Sequence, residues 1–407
     1  MSMFDIGLSG LNAASSELEV TSNNIANSET TGFKRSRAEF ADVYAEAYGG
    51  ISQTATGDGV RLAEIRQEFT QGNIDFTGNN LDLAVSGQGF FILSDNGAQV
   101  YSRAGALQVD RNGFVIDSLG RELQVFPSND PAGSSFNVGS PQSLQLVTSD
   151  SPPNATTQVD ALINLDADAT VLGAGAIDPT NPATYSYSST LTVYDSLGGP
   201  HTATSYYRRT GNLTWDTRLV VDGDDTQTTG VQTMTFDSTG NLTTAMPVNY
   251  GVFTPTNGAN PLNIDYDLTG STQFGGGFGI NNLAQDGFTS GRLTAIEVSD
   301  DGVFAARYTN GQTQILAQVA LANFASPQGL QQIGDNAWAE SFESGAVQLG
   351  QPGTSSLGLI QSGGLEQANV DIAEELVGLI TAERFFQANA QVITTADQIT
   401  QTIINLR

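Results

Sequence analysis

The chain has 407 residues and a net charge of −28, yet only 14% of its residues are charged, and it holds a single lysine and no cysteine. A disulfide framework and a thiolate metal site are excluded, and a nucleic-acid or anionic-membrane binder is disfavoured, because both need a basic face. Charged residues stand well below the usual share of about a quarter, and the polar remainder is rich in Thr, Ser, Asn and Gln, the profile of an extracellular β-rich protein with two or three domains.

From Met3 to about Asn27 the pattern predicts a helix. Phe4, Leu8, Leu11, Leu18 and Ile25 fall on one four-three ladder, with Ser15 and Ser22 filling the remaining positions. Gly7 and Gly10 each cost such a helix about 1 kcal/mol against Ala, so it is expected to need partners. The helix runs into Asn23-Asn24-Ile25-Ala26-Asn27-Ser28-Glu29-Thr30-Thr31-Gly32-Phe33-Lys34, where Asn27 and Gly32 are stop signals. Residues 36–71 are polar and broken by Gly49-Gly50 and Gly57-Asp58-Gly59, which reads as an extended connector with a strand pair near Val60–Ile65.

Strand patterns begin at Gly72. Leu81, Leu83 and Val85 alternate, Phe90–Leu93 is an apolar run, and turns are expected at Ser94–Gly97, Asp110–Gly113 and Asp117–Gly120. The same texture returns from Arg292 to about Phe324, around Ser299–Gly302 and Thr309–Gly311. Between the two flanks, from about Thr148 to Ala284, lies a Thr-rich meander with turns at Asp195–Gly198 and Asp237–Gly240, which reads as a domain inserted into the first.

The last stretch, from about Asn369, predicts a long second helix. Ile372, Leu376, Leu379, Phe386, Ala390, Ile393 and Ile404 form one ladder; Ala373, Val377, Ile380, Ala396, Ile399, Ile403 and Leu406 form another beside it. Such a double stripe calls for burial on two sides. Asp371, Glu374 and Glu375 at the start and Arg407 at the end suit the helix dipole. Apolar seams at both chain ends are therefore expected to be completed between subunits, with folding coupled to association.

Residues suited to catalysis are sparse. His201, the one histidine, follows Gly198-Gly199-Pro200 in an expected surface turn, which suits a general base poorly. Asp222-Gly223-Asp224-Asp225 lacks EF-hand spacing, Gly275-Gly276-Gly277-Phe278-Gly279 does not lead a strand into a helix, and no phosphate loop is present. No enzyme activity and no cofactor are expected. Nor is membrane insertion, since no run reaches the roughly 18 apolar residues of a spanning helix, and the N-terminus lacks a cleavable signal pattern.

The run Asn23–Lys34, with Asn24, Ile25, Ala26, Asn27, Thr30, Gly32, Phe33 and Lys34 in place, resembles the signature of the flagellar rod and hook protein family. Asn369–Glu375, Ala388-Asn389-Ala390 and Asn405-Leu406-Arg407 resemble the same family independently, as do Ala84–Phe91 and Gln285–Leu293 in the β regions. Ala38–Asp42 resembles the segment after the signature, which implies that export recognition lies there. The resemblance implies an α+β fold: long N- and C-terminal helices paired as a coiled-coil-like inner domain (1–30 and 364–407), an extended connector (31–71), a β-rich middle domain (72–147 and 285–363) and an inserted β-rich outer domain (148–284).

The function it implies is that of the hook subunit: a flexible helical tube, exported without a cleaved signal peptide to the cell exterior, which carries torque from rod to filament around an export channel. Implied partners are further copies of the chain, the distal rod protein, the hook cap protein, the hook–filament junction protein, the export apparatus and the hook-length control protein. Phe4, Leu8, Leu11, Leu18, Ile25, Ile372, Leu376, Leu379, Phe386, Ile393 and Ile404 are the expected polymer interface. A distal rod protein shares the terminal motifs but is much shorter. A secreted β-rich adhesin or glycan-binding protein would leave both seams unexplained, and a secreted hydrolase would need a cleft with two facing acids.

Overall fold

The computed structural model describes residues 3–43, 57–130, 132–146, 150–228, 230–354 and 356–405. Gly49-Gly50 and Leu406-Arg407 lie outside them. The chain forms two compact units: Met1–Thr148 with Ala295–Ala306 and Thr313–Arg407, and Ser149–Thr294 with Arg307–Gln312.

In the first unit, helix α1 spans Met3–Ala26 and helix α2 spans Ile372–Asn405. At 1.5 Å per residue the 34 residues of α2 reach about 51 Å. Two stretches of the expected connector form a two-stranded antiparallel ribbon, β1 (Ser36–Asp42) with β2 (Val60–Gln67), packed against α1. Its alternation is carried by Arg and Glu, and Arg66 links to both Glu39 and Glu64 across and along it. Beyond it, β3 (Ile74–Phe76) pairs with Gly364–Glu366 and β4 (Leu83–Ser86) with Leu359–Ser362, so the outgoing and returning chains zip together antiparallel.

The main sheet of this unit runs, in spatial order, through Thr313–Val319, Glu122–Pro127, Phe90–Asp95, Ala98–Ser102, Ala337–Ala339 and Gln331–Gly334. Phe90 to Leu93 are all buried, because Phe91 and Leu93 enter one apolar core while Phe90 and Ile92 enter another, with Tyr101, Phe324 and Trp338. The expected turn at Ser94–Gly97 has both Asn96 and Gly97 at positive φ, 49° and 94°, the primed geometry that matches the twist of a hairpin.

The second unit holds a four-stranded sheet, Tyr187–Tyr194, Pro200–Arg209, Thr214–Val221 and Val231–Thr235, and a five-stranded one in which Gln158–Asp166 pairs antiparallel with Gly279–Gln285 on one edge and parallel with Leu262–Asp267 and then Thr272–Phe274 on the other. Their shared core contains Trp215, Tyr207 and Tyr250. Residues 285–294 and 307–312, expected in the middle domain, belong to this unit. Asn154 bridges Phe288, and Ser151 and Gly291 exchange two backbone hydrogen bonds of 2.7 and 3.2 Å, so the entering and leaving chains close the unit as a pair.

His201 is not a loose surface residue. It sits on the strand Pro200–Arg209 between two carboxylates, Nδ1 2.6 Å from Asp222 and Nε2 3.1 Å from Asp195. Asp195 is held at about 2: burial works against ionisation, and hydrogen bonds from Asn257, the Gly199 N–H and His201 outweigh it. Burial likewise disfavours the imidazolium, but the hydrogen bonds and charges of Asp222 and Asp195 raise its pKa above the ordinary 6.5. With a carboxylate at each nitrogen, only the protonated ring can donate on both sides. A raised folded-state pKa gives stability that is complete below 6.5 and lost as pH rises through the folded value. The melting transition of this unit is therefore expected to fall from pH 6 to 9 by more in the parent chain than in His201→Gln; equal slopes in calorimetry would refute the assignment. Asp222 also accepts from the Thr202 N–H, and Asp224 from Thr226 and Gln227, so these acids serve as turn acceptors.

Candidate assembly interface

Helices α1 and α2 run antiparallel, with Gly7 beside Ile393 and Asn24 beside Glu375. A Cβ on Gly7 would stand 3.0 Å from Ile393 Cγ1, and one on Gly10 2.5 Å from Asn389 Oδ1. The two glycines that weaken α1 by propensity are thus where α2 comes closest, so their missing side chains have a packing use. The buried positions of α1 are Gly7, Ala14, Val20, Thr21 and Asn24, a face of mostly small residues one position round from the expected ladder. Phe4 (47% exposed) and Leu8 (42%) stay exposed, and Leu11, Leu18 and Ile25 are only half-buried.

On α2 the face turned to α1 carries buried Glu375 and Ala382, with Leu379, Phe386 and Ile393 half-buried. Ile372 and Leu376 are 46% exposed and Ile404 66%. The second ladder, expected to be buried, is exposed at Val377, Ile380, Ile399 and Ile403. Within one chain the pair uses its small-residue faces and leaves most of the apolar surface uncovered. Between α1, α2 and the ribbon opens a cavity of about 730 Å³ lined by Ala13, Phe40, Val377, Phe385 and Glu17 among others. Burial, and then the charge of Glu375, raise the pKa of Glu17 there.

The signature residues fasten the root of this pair. Asn24 donates to the Ser36 carbonyl (2.8 Å), accepts from the Ser36 N–H (2.9 Å) and reaches Glu375 (3.3 Å), tying α1 to both β1 and α2. Asn27 turns back onto the Asn23 carbonyl and accepts from Thr30. Ile25 is half-buried and Ala26 exposed. Gly32 has φ +72°, donates to the Glu366 carbonyl at 2.8 Å, and lies so close to the Ala104 backbone that a Cβ would come within 2.5 Å of its nitrogen. Phe33 is buried.

Lys34 is 1% exposed, and its Nζ meets Glu366 Oε1 at 2.6 Å and the Thr70 carbonyl at 2.8 Å. Glu366, fully buried, also accepts from Arg103 at 3.1 Å and from the Gly72 N–H at 2.9 Å. Burial lowers the pKa of Lys34 and of Arg103, and Glu366 opposes it in both. Arg103 and Glu366 were not singled out from sequence; the one signal was a lone lysine in a motif between apolar and turn residues. Asn369, on the returning chain, accepts from the Arg35 N–H (2.7 Å) and donates to the Glu68 carbonyl (2.7 Å).

Family models match in chain order: a flagella basal body rod protein model over 4–34, the flagellar hook protein FlgE/F/G D1 domain over 84–172, the flagellar basal body protein FlaE D2 domain over 164–288, and the flagellar basal body rod FlgEFG C-terminal model over 361–406. The flagellar hook protein FlgE of Escherichia coli strain K12 is 36% identical over 99% of this chain and all of its own length. That of Brucella suis is 31% identical over the whole of this chain and 98% of its own, and that of Treponema pallidum 30% over 98% of each. The crystal structure of Helicobacter pylori flagellar hook protein FlgE2 shares the fold, with a TM-score of 0.56 at 15% identity over 70% of this chain and 99% of that one. Full-length identity at this level, with every matched region in the order the fold lays them down, places the chain in the flagellar hook protein FlgE family.

Proposed function

We propose that the chain is the subunit of a flexible helical tube that carries torque from the flagellar rod to the filament and encloses an export channel. The observation that carries this reading is the uncovered apolar surface on both terminal helices, Phe4 and Leu8 on α1 and Leu376, Val377, Ile380 and Ile403 on α2. A monomer gains nothing from such stripes, and patches of this kind mark interfaces. A head-to-tail contact that does not close builds an open helical polymer, in which every subunit would cover its neighbour's stripes in coiled-coil fashion. The helices then form the inner layer and the second unit the outer one. The role is structural, without enzyme chemistry.

The same reading assigns the distal rod protein to one end of the tube and the hook cap and hook–filament junction proteins to the other. Subunits reach the cell exterior through the export apparatus, under the hook-length control protein. Salting out the purified chain is expected to give tubes by electron microscopy. Amorphous precipitate, or monomers at every salt concentration, would sink the proposal.

A further inference from the structure

Besides the packing of the ribbon on α1, the helix pair joins the rest of the first unit through two chain segments, residues 27–35 going out and 367–371 returning. Two peptide segments side by side resist pulling, but they swivel unless something fixes them laterally. At that crossing four segments distant in sequence meet on one carboxylate. Glu366 from the returning chain receives Lys34 from the outgoing one, Arg103 from just past the sheet strand Ala98–Ser102 and the Gly72 N–H from the chain that follows the ribbon. Arg103 continues inward, donating to the Gly87 carbonyl at 2.8 Å and lying 5.3 Å from the Phe90 ring centre.

Energetics argue that stability is not the reason for this arrangement. Two cations and one anion are buried, and the Arg103 Nε finds no partner. Replacing such a cluster with apolar groups of like volume is often neutral or stabilising, whereas charge-assisted hydrogen bonds fix direction in a way that apolar packing does not.

We propose that Lys34, Glu366 and Arg103 form a directional rivet that sets the angle of the terminal helix pair on the β-rich part of the first unit and carries twisting load between them. These are positioning residues. The load-bearing half of the inference rests on the tube reading above; the positioning half concerns the monomer alone.

The lysine is the only one in the chain and cysteine is absent, which makes the test clean. In the parent monomer, labelling of Lys34 by an N-hydroxysuccinimide ester, followed by peptide mapping, is expected only through opening of the joint. Glu366→Gln, which leaves two buried cations facing each other, should speed Lys34 labelling by about a hundred- to a thousandfold. Spin labels at Glu383→Cys on α2 and Gln99→Cys on the sheet, both at exposed positions, should give a narrow distance distribution by double electron–electron resonance.

The triple variant Lys34→Met, Glu366→Leu, Arg103→Met should keep the melting temperature of the first unit yet lose that narrow distribution, and tubes made from it should be torsionally softer at unchanged mass per length. A narrow distribution in the triple variant, free Lys34 labelling in the parent, or a triple variant that loses its melting transition would each overturn the proposal. Failure of the parent chain to form tubes bears on the tube reading alone, because the labelling and distance measurements are made on monomers.

Discussion

Leu376→Ala and Phe385→Ala are each expected to raise the concentration needed for polymerisation by roughly thirty-fold to a few thousand-fold, while the melting of the β-rich parts stays unchanged. Both side chains are largely exposed in the single chain, so truncating them removes little from its own fold. In a polymer the same side chains would be covered. A buried Leu or Phe cut to Ala costs about 2–5 kcal/mol, and about 1.4 kcal/mol corresponds to a factor of ten in the equilibrium. The upper end applies only if the whole cost falls on the subunit contact.

Phe386→Ala separates two contributions. Phe386 lies half-buried on the face that α2 turns to α1, so its loss should loosen the helix pair within the chain as well as weaken assembly. Gln387 is exposed, its side chain bonds along the helix to Glu383, and Gln387→Ala serves as the control. Sedimentation at graded concentrations, beside a thermal melt of each monomer, reads both effects. Normal assembly by Leu376→Ala and Phe385→Ala would show that these stripes do not carry the polymer contact.

Much of the fold could be read from the chain because its turns announce themselves chemically. In Asp117–Gly120, Asp195–Gly198 and Asp237–Gly240 the aspartate accepts from N–H groups two and four residues on, and a glycine supplies the positive φ that follows. Helix existence was equally plain, but the phase of α1 was not. Apolar periodicity weighs Leu and Phe and ignores Gly and Ala, and it is Gly7, Gly10 and Ala14 that let the helices approach. Of the ribbon, the strand near Val60–Ile65 was legible, whereas its partner Ser36–Asp42 was not, because arginine and glutamate carry the period of two. The charged node at Glu366 could not be read at all, since Lys34 and Arg103 lie hundreds of residues from it in sequence and only the antiparallel return of the chain brings them together.

Excising Pro152–Ser290 and joining Ser151 to Gly291 through Asn-Gly is expected to leave a chain whose first unit melts as before and still polymerises into tubes, thinner and lighter per unit length. The segment is about a third of the chain and contains both sheets of the second unit with their shared core. Ser151 and Gly291 already face each other as an antiparallel pair with two backbone hydrogen bonds, and strand partners of this kind lie only about 5 Å apart, the span of a two-residue primed turn. The shortcut therefore replaces a whole domain with a hairpin without moving either end. What remains beyond it is small: Arg292 keeps its backbone contact with Thr309, while Asn310 loses the Thr289 carbonyl. Cutting instead at 148–284, the boundary read from sequence, would strand residues 285–291, whose partners Ser151 and Asn154 would be gone. The excised chain is expected to keep one calorimetric transition at the parent temperature for the first unit, whereas aggregation or loss of that transition would show that the two units do not fold independently.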